Sequence, residues 1–182
     1  MTRAELEEFI LFANLDIGDP IIFGTVAVLG QFPNPPPEIA RFIENELFPD
    51  GPPPIQLPTL ERLAWDAELR EMSGAVDDDT DKREIEAEKE RIMNLPVGWD
   101  ERLITVRGEG TCGATGWCLE VHDLAASKLV AGGENDLHFV SLLARENMIA
   151  VETLLERIDL LLLPEDRQAS IRQRWQTLLH SG

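Results

Sequence analysis

The sequence predicts an α+β domain followed by a helical C-terminal segment, on three observations. Short apolar runs at Pro20–Phe23, Arg102–Arg107 and Trp117–Val121 have the length and patterning of strands. The last two flank Gly108–Gly116, a glycine-rich turn, and so predict a hairpin. Beyond Val121 the pattern becomes helical and stays so to the end of the chain, with no internal repeat. The 182 residues are 43% apolar, enough for one domain with a real core.

In chain order, Ala4–Asn14 places Leu6, Phe9, Ile10 and Ala13 on one helical stripe. Pro20–Phe23 is a short buried strand. Gly24-Thr25 then opens the short apolar piece Val26–Leu29. Gln31–Pro37 holds four prolines and must be a loop. In Ile39–Phe48, Ile39, Arg41 and Ile43 alternate with Ala40, Phe42 and Glu44, which predicts a strand. Pro49–Pro58 is a second proline-rich loop, and Thr59 is placed as the N-cap of a helix to about Met72. After the hairpin, Asp123 is expected to cap a helix through Leu129. Further helices are expected at Asn135–Glu146, Val151–Leu160 and Glu165–Leu179. The domain plan is an α/β core over 1–121, with an acidic insertion near 73–91, and a helical part over 122–182 packed on that core.

Charge narrows the partners. The net charge is −18, from 34 acidic and 16 basic residues. Residues 1–100 hold 22 Asp/Glu against 8 Lys/Arg, so most of the excess lies there, much of it in Val76–Arg91. Asp77–Asp81 has no apolar side chain to bury and reads as an exposed loop or an acidic docking surface. An acidic chain with Lys82, Lys89 and Lys128 as its only lysines is ill suited to nonspecific binding of nucleic-acid phosphate or anionic membrane. No apolar run reaches the roughly 18–20 residues of a membrane span. The acidic N-terminus is unlike a secretory leader. Cys112 and Cys118 are too few for a disulfide scaffold. A soluble, cytoplasmic protein is the expectation.

Motifs are few. Gly108-Glu-Gly-Thr-Cys-Gly113 matches G-x-G-x-x-G, but a strand follows instead of a helix, so a hairpin turn is expected and not a dinucleotide site. The cysteines and His122, His138 and His180 have no zinc-ligand spacing. On a strand, Glu44 and Glu46 would project from one face, where a hard cation such as Mg2+ would relieve their repulsion. The alternative is a solvent-facing strand of an acidic protein. If one helix ran through His122–Phe139, Lys128, Gly132 and Asp136 would share a stripe suited to a nucleotide phosphate. Otherwise Gly132-Gly133 ends one helix and Lys128 is solvated. Gly24-Thr25, at a strand-to-helix junction, could meet a phosphate through backbone N–H groups.

Together, Ile22–Pro33, Ile43–Pro49 and Leu119–Gly132 resemble an uncharacterised bacterial nucleotidyltransferase-like family related to the AbiEii-type toxins of abortive-infection and toxin–antitoxin systems. The resemblance spans roughly residues 20–160 and implies a minimal nucleotidyltransferase-like sheet. It matches Gly24 and Thr25 to the turn that contacts nucleotide phosphates. It matches Glu44 and Glu46 to a metal-binding acidic pair, Lys128 to a nucleotide-contacting lysine, and Asp136 to the aspartate that follows. The departures are Thr25 for serine, Glu46 for aspartate, and Gly133 and Asn135 where the family carries basic residues.

Two functions follow from the resemblance. One is Mg2+-dependent transfer of a nucleotidyl group from an NTP to a hydroxyl of RNA or protein, with RNA disfavoured by the charge. The other is a catalytically inactive binding protein of the same fold, an antitoxin or assembly partner. A cognate toxin or antitoxin is the expected protein partner, and no membrane is expected. An acidic mimic of nucleic acid rests on charge alone. For the phosphate turn and the acidic pair to meet one triphosphate, Ile21–Phe23 and Phe42–Leu47 should be neighbouring strands.

Overall fold

The computed structural model describes residues 1–47 and 94–181. The predicted helix from Thr59, the loop Pro49–Pro58 and the acidic insertion near 73–91 lie outside the described residues. The fold is α+β: a small mixed sheet with helices on it, ending in a helical segment.

Helix α1 spans Arg3–Ile17. Thr2 caps it in a reciprocal box: its hydroxyl accepts from the Glu5 N–H at 3.3 Å, and its own N–H donates to the Glu5 carboxylate at 2.6 Å. Leu6 and Ile10 are fully buried along its inner stripe. Strand β1 is Ile21–Ile22, followed by a 3₁₀ turn at Thr25–Ala27 and helix α2, Val28–Gln31. Arg3 donates to the carbonyls of Leu29 and Gly30 at 2.7 and 2.9 Å, which ties α1 to the end of α2.

Helix α3 spans Pro37–Leu47, where the alternation had predicted a strand. Pro37 occupies the first helical position, where its fixed φ and missing N–H do no harm. The helical spacing Ile39, Phe42, Ile43 then outcompetes the period-two pattern. Ile39 and Ile43 are fully buried, and the Phe42 ring packs 5.0 Å from that of Phe139. Phe42–Leu47 is therefore not a neighbour of β1.

The neighbour of β1 is β3, Gly116–Cys118, running parallel, with Ile21 beside Trp117 and Ile22 beside Cys118. Strand β2, Ile104–Val106, pairs antiparallel to β3 as the predicted hairpin, giving the order β1-β3-β2. Their connection is a tight turn in which buried Thr111 accepts from the Gly108 N–H and donates to the Ala114 carbonyl at 2.7 Å. That is the fate of the G-x-G-x-x-G segment.

Helix α4 begins at Val121 and ends at Ala131. Its N-cap is Glu120, not Asp123: the Glu120 carboxylate accepts from the N–H groups of His122 and Asp123 at 3.0 and 3.3 Å. Gly132, at φ +67°, stops α4 in the left-handed conformation, and Gly133 leads into α5, Glu134–Arg145. Helices α6, Val151–Asp159, and α7, Glu165–Ser181, complete the chain. One apolar cluster runs from Leu6 and Ile10 through the sheet to Phe139, Leu154 and Trp175. No helix among the described residues is long and apolar enough to cross a membrane.

Candidate functional site

A cleft of about 370 Å³ opens at the C-terminal end of β1. Gly24, Thr25, Glu46, Lys128 and Asp136 all line it, so five of the six candidate residues meet at one place. Phe23, Leu95, Leu119 and Leu124 supply apolar wall, with Phe23 backed by the Trp99 ring at 5.7 Å.

Each polar group is positioned by its element. Gly24 sits at φ +76°, ψ −174°, a conformation open essentially to glycine alone, and so turns the chain sharply out of β1. Thr25, 2% exposed, opens the 3₁₀ turn and donates its hydroxyl proton to Oε2 of Glu46. Lys128 projects from the last turn of α4, its side chain only 15% exposed, and does not lie free in solvent. Its ammonium lies 2.8 Å from Asp136 and 3.1 Å from Oε1 of Glu46. Burial pulls the Lys128 pKa down. The hydrogen bond to Asp136 and the charges of Glu46 and Asp136 outweigh it, so the net shift is upward and the side chain stays charged.

The single-helix stripe through Gly132 does not form, yet Lys128 and Asp136 still meet. The glycine pair folds α5 back on α4, and Asp136 arrives from the first turn of α5. Its carboxylate meets the ammonium across the helix break.

Glu44 is the exception. On a helix, positions i and i+2 lie about 200° apart around the axis. Glu44 is exposed and does not line the cleft. The expected Glu44/Glu46 pair on one strand face is therefore not assembled. Glu46 and Asp136 are the carboxylates on the cleft, and the Lys128 ammonium already bridges them. Among the described residues no three His, Cys, Asp or Glu side chains group as metal ligands would. The donors shown thus do not fit Mg2+ in the arrangement expected.

Sequence reasoning missed the network that holds α4. Asp123 is fully buried and receives Arg102 at 2.8 and 2.9 Å, with Arg157 at 3.2 Å. Burial pushes its carboxyl upward, and the two arginines only partly offset that. Arg102, held by the same hydrogen bonds, is shifted upward and stays protonated. On Glu120 burial also acts upward, but the hydrogen bonds from the His122 ring and from the His122 and Asp123 N–H groups bring the net shift down. His122 links Glu120, 2.7 Å from Nδ1, to the Ala150 N–H, which donates to Nε2 at 2.9 Å. Glu120 is absent from the cleft lining and serves as a cap. Cys118 is buried and its thiol is pushed up to about 11 by that burial, so it is no nucleophile.

Comparison with curated proteins gives no match, nor does comparison with solved structures. A family model described as a nucleotidyltransferase of unknown function (DUF6036) matches residues 4–179, a span that takes in every residue of the cleft. The chain belongs to that nucleotidyltransferase family.

Proposed function

We propose that the cleft binds the phosphates of a nucleoside triphosphate and that the protein transfers a nucleotidyl group from it to a hydroxyl of a protein or an RNA. One observation carries this reading. The Thr25 hydroxyl and the Lys128 ammonium, more than a hundred residues apart in sequence, converge on the two oxygens of a single carboxylate, Glu46. Two donors spaced to share one anion suit the oxygens of a phosphoryl group. Gly24 keeps the backbone at the cleft mouth free of a side chain, and Phe23, Leu119 and Leu124 offer apolar surface to the rest of the ligand. In transfer, the acceptor hydroxyl gives its proton to water as its oxygen bonds to the α-phosphorus and the bond from that phosphorus to the β-phosphate oxygen breaks, and Lys128 and Thr25 would offset charge on the departing pyrophosphate. With 34 acidic residues against 16 basic ones, a protein acceptor meets less repulsion than RNA does.

A second reading is a nucleotidyltransferase-fold binding protein without catalysis. The observation favouring it is that Glu46 and Asp136 already neutralise Lys128. The relation to AbiEii-type toxins, and a toxin–antitoxin or phage-defence setting with a cognate partner, stay proposals, tested by coexpression with the neighbouring reading frame. Titration calorimetry with each NTP, with and without Mg2+, separates the two main readings. Heat with wild type and its loss in Lys128→Ala supports the enzyme. No heat with any NTP at millimolar concentration, where even weak sites register, refutes it and leaves the binding protein.

A further inference from the structure

Glu46 stands where a phosphoryl group would. Thr25 and Lys128 are 2% and 15% exposed, whereas the Glu46 side chain is 41% exposed near the end of α3. The arrangement is one buried donor, one largely covered donor and one half-exposed anion. Asp136 neutralises Lys128 from the other side at 2.8 Å, so the ammonium keeps a partner when Glu46 leaves.

Resting on the phosphate reading above, we infer that Glu46 is the resident anion of this subsite, and that the ligand's phosphoryl group enters by displacing it. The two oxygens of the carboxylate accept from both donors, so the buried Thr25 hydroxyl is left with an acceptor. Displacement is feasible because an ion pair with one half-exposed partner shifts an equilibrium by about fivefold at most. The exchange selects for charge. A singly charged ligand only replaces the charge that Glu46 takes away, while a polyphosphate brings more. Glu46 therefore opposes the ligand, the reverse of a metal-binding carboxylate, whose removal would weaken binding.

The test is calorimetric titration with inorganic tripolyphosphate, with and without Mg2+, on wild type, Glu46→Gln, Glu44→Gln and Lys128→Ala. Circular dichroism checks each fold, and Glu46→Ala is the second variant. We expect Glu46→Gln to bind about two- to fivefold tighter than wild type, Glu44→Gln to match wild type, and Lys128→Ala to lose binding. If wild type binds through Lys128 and both Glu46 variants bind equally or more weakly, the role given to Glu46 is overturned and the phosphate site stands. If neither wild type nor Glu46→Gln binds at millimolar tripolyphosphate, or Lys128→Ala binds as wild type does, the phosphate reading itself fails and the inference with it.

Discussion

Asp123→Asn tests the network that aims Lys128 into the cleft. The carboxylate is fully buried and holds α4 to Arg102, at the end of a second 3₁₀ turn, Trp99–Arg102, before β2, and to Arg157 of α6. Removing one partner of a buried ion pair typically costs about 3–5 kcal/mol, because the remaining charge is left uncompensated. Here two guanidiniums would be left, but their side chains are 23% and 17% exposed and keep some hydration. The variant also no longer buries a carboxylate whose ionised form burial disfavours. We therefore expect a loss of about 2–3 kcal/mol, below the full penalty. In a domain of this size that lowers Tm by about 5–10 °C. Urea and thermal unfolding measure it. Arg102→Gln alone, and the double variant, complete a cycle in which the losses should be strongly non-additive. The pH dependence has a definite sign. Asp123 is raised in the native state, so the native state holds the extra proton between the unfolded and folded values, and stability from this group falls as pH rises through that window. Asp123→Asn should remove that slope. A loss under about 0.5 kcal/mol, or simple additivity with Arg102→Gln, would refute the account of Asp123 as the anchor of α4.

Other outcomes follow from the same geometry. Glu120 is lowered in the native state, so its contribution is present at neutral pH and is lost as pH falls through the folded value. Glu120→Gln should flatten that acid limb and cost about 1 kcal/mol as a weakened N-cap, read by unfolding at several pH values. A Cβ at Gly24 would meet nothing within 4 Å, so Gly24→Ala should act through backbone strain alone. It should cost about 1–3 kcal/mol in Tm-derived stability and weaken triphosphate binding by shifting Thr25. Lys128 is raised in the native state, so its contribution is complete below the usual lysine value and fades only as pH rises through the higher folded value. Lys128→Met should make alkaline unfolding less steep above the usual lysine pKa.

Much of the fold is legible in the sequence. The hairpin is a local object, set by alternation on both sides of a glycine-rich turn, and it appears where expected as β2 and β3. The helices from Val121 onward follow from spacing that each segment carries within itself. Five of the six candidate site residues were also marked by type and family resemblance, and they do line one cleft. What failed was the segment 37–47. Ile39, Arg41 and Ile43 satisfy a strand, while Ile39, Phe42 and Ile43 satisfy a helix. Pro37 at the first turn was the signal that separates them. That one choice rotated Glu44 away from Glu46 and dissolved the expected acidic pair.

The sequence by itself determined the α+β class, the hairpin and the absence of a long apolar helix among the described residues. Each of these is set by neighbours along the chain. Only the tertiary structure decided that Glu46 answers Thr25 and Lys128, that Asp123 is sealed between Arg102 and Arg157, and that Glu120 caps a helix. The ion pairs and the Thr25 hydrogen bond join residues 21 to 82 positions apart, and the choice of Glu120 as cap turns on burial. Coulomb attraction and desolvation depend on distance and surroundings in space, which residue type and spacing along the chain do not encode.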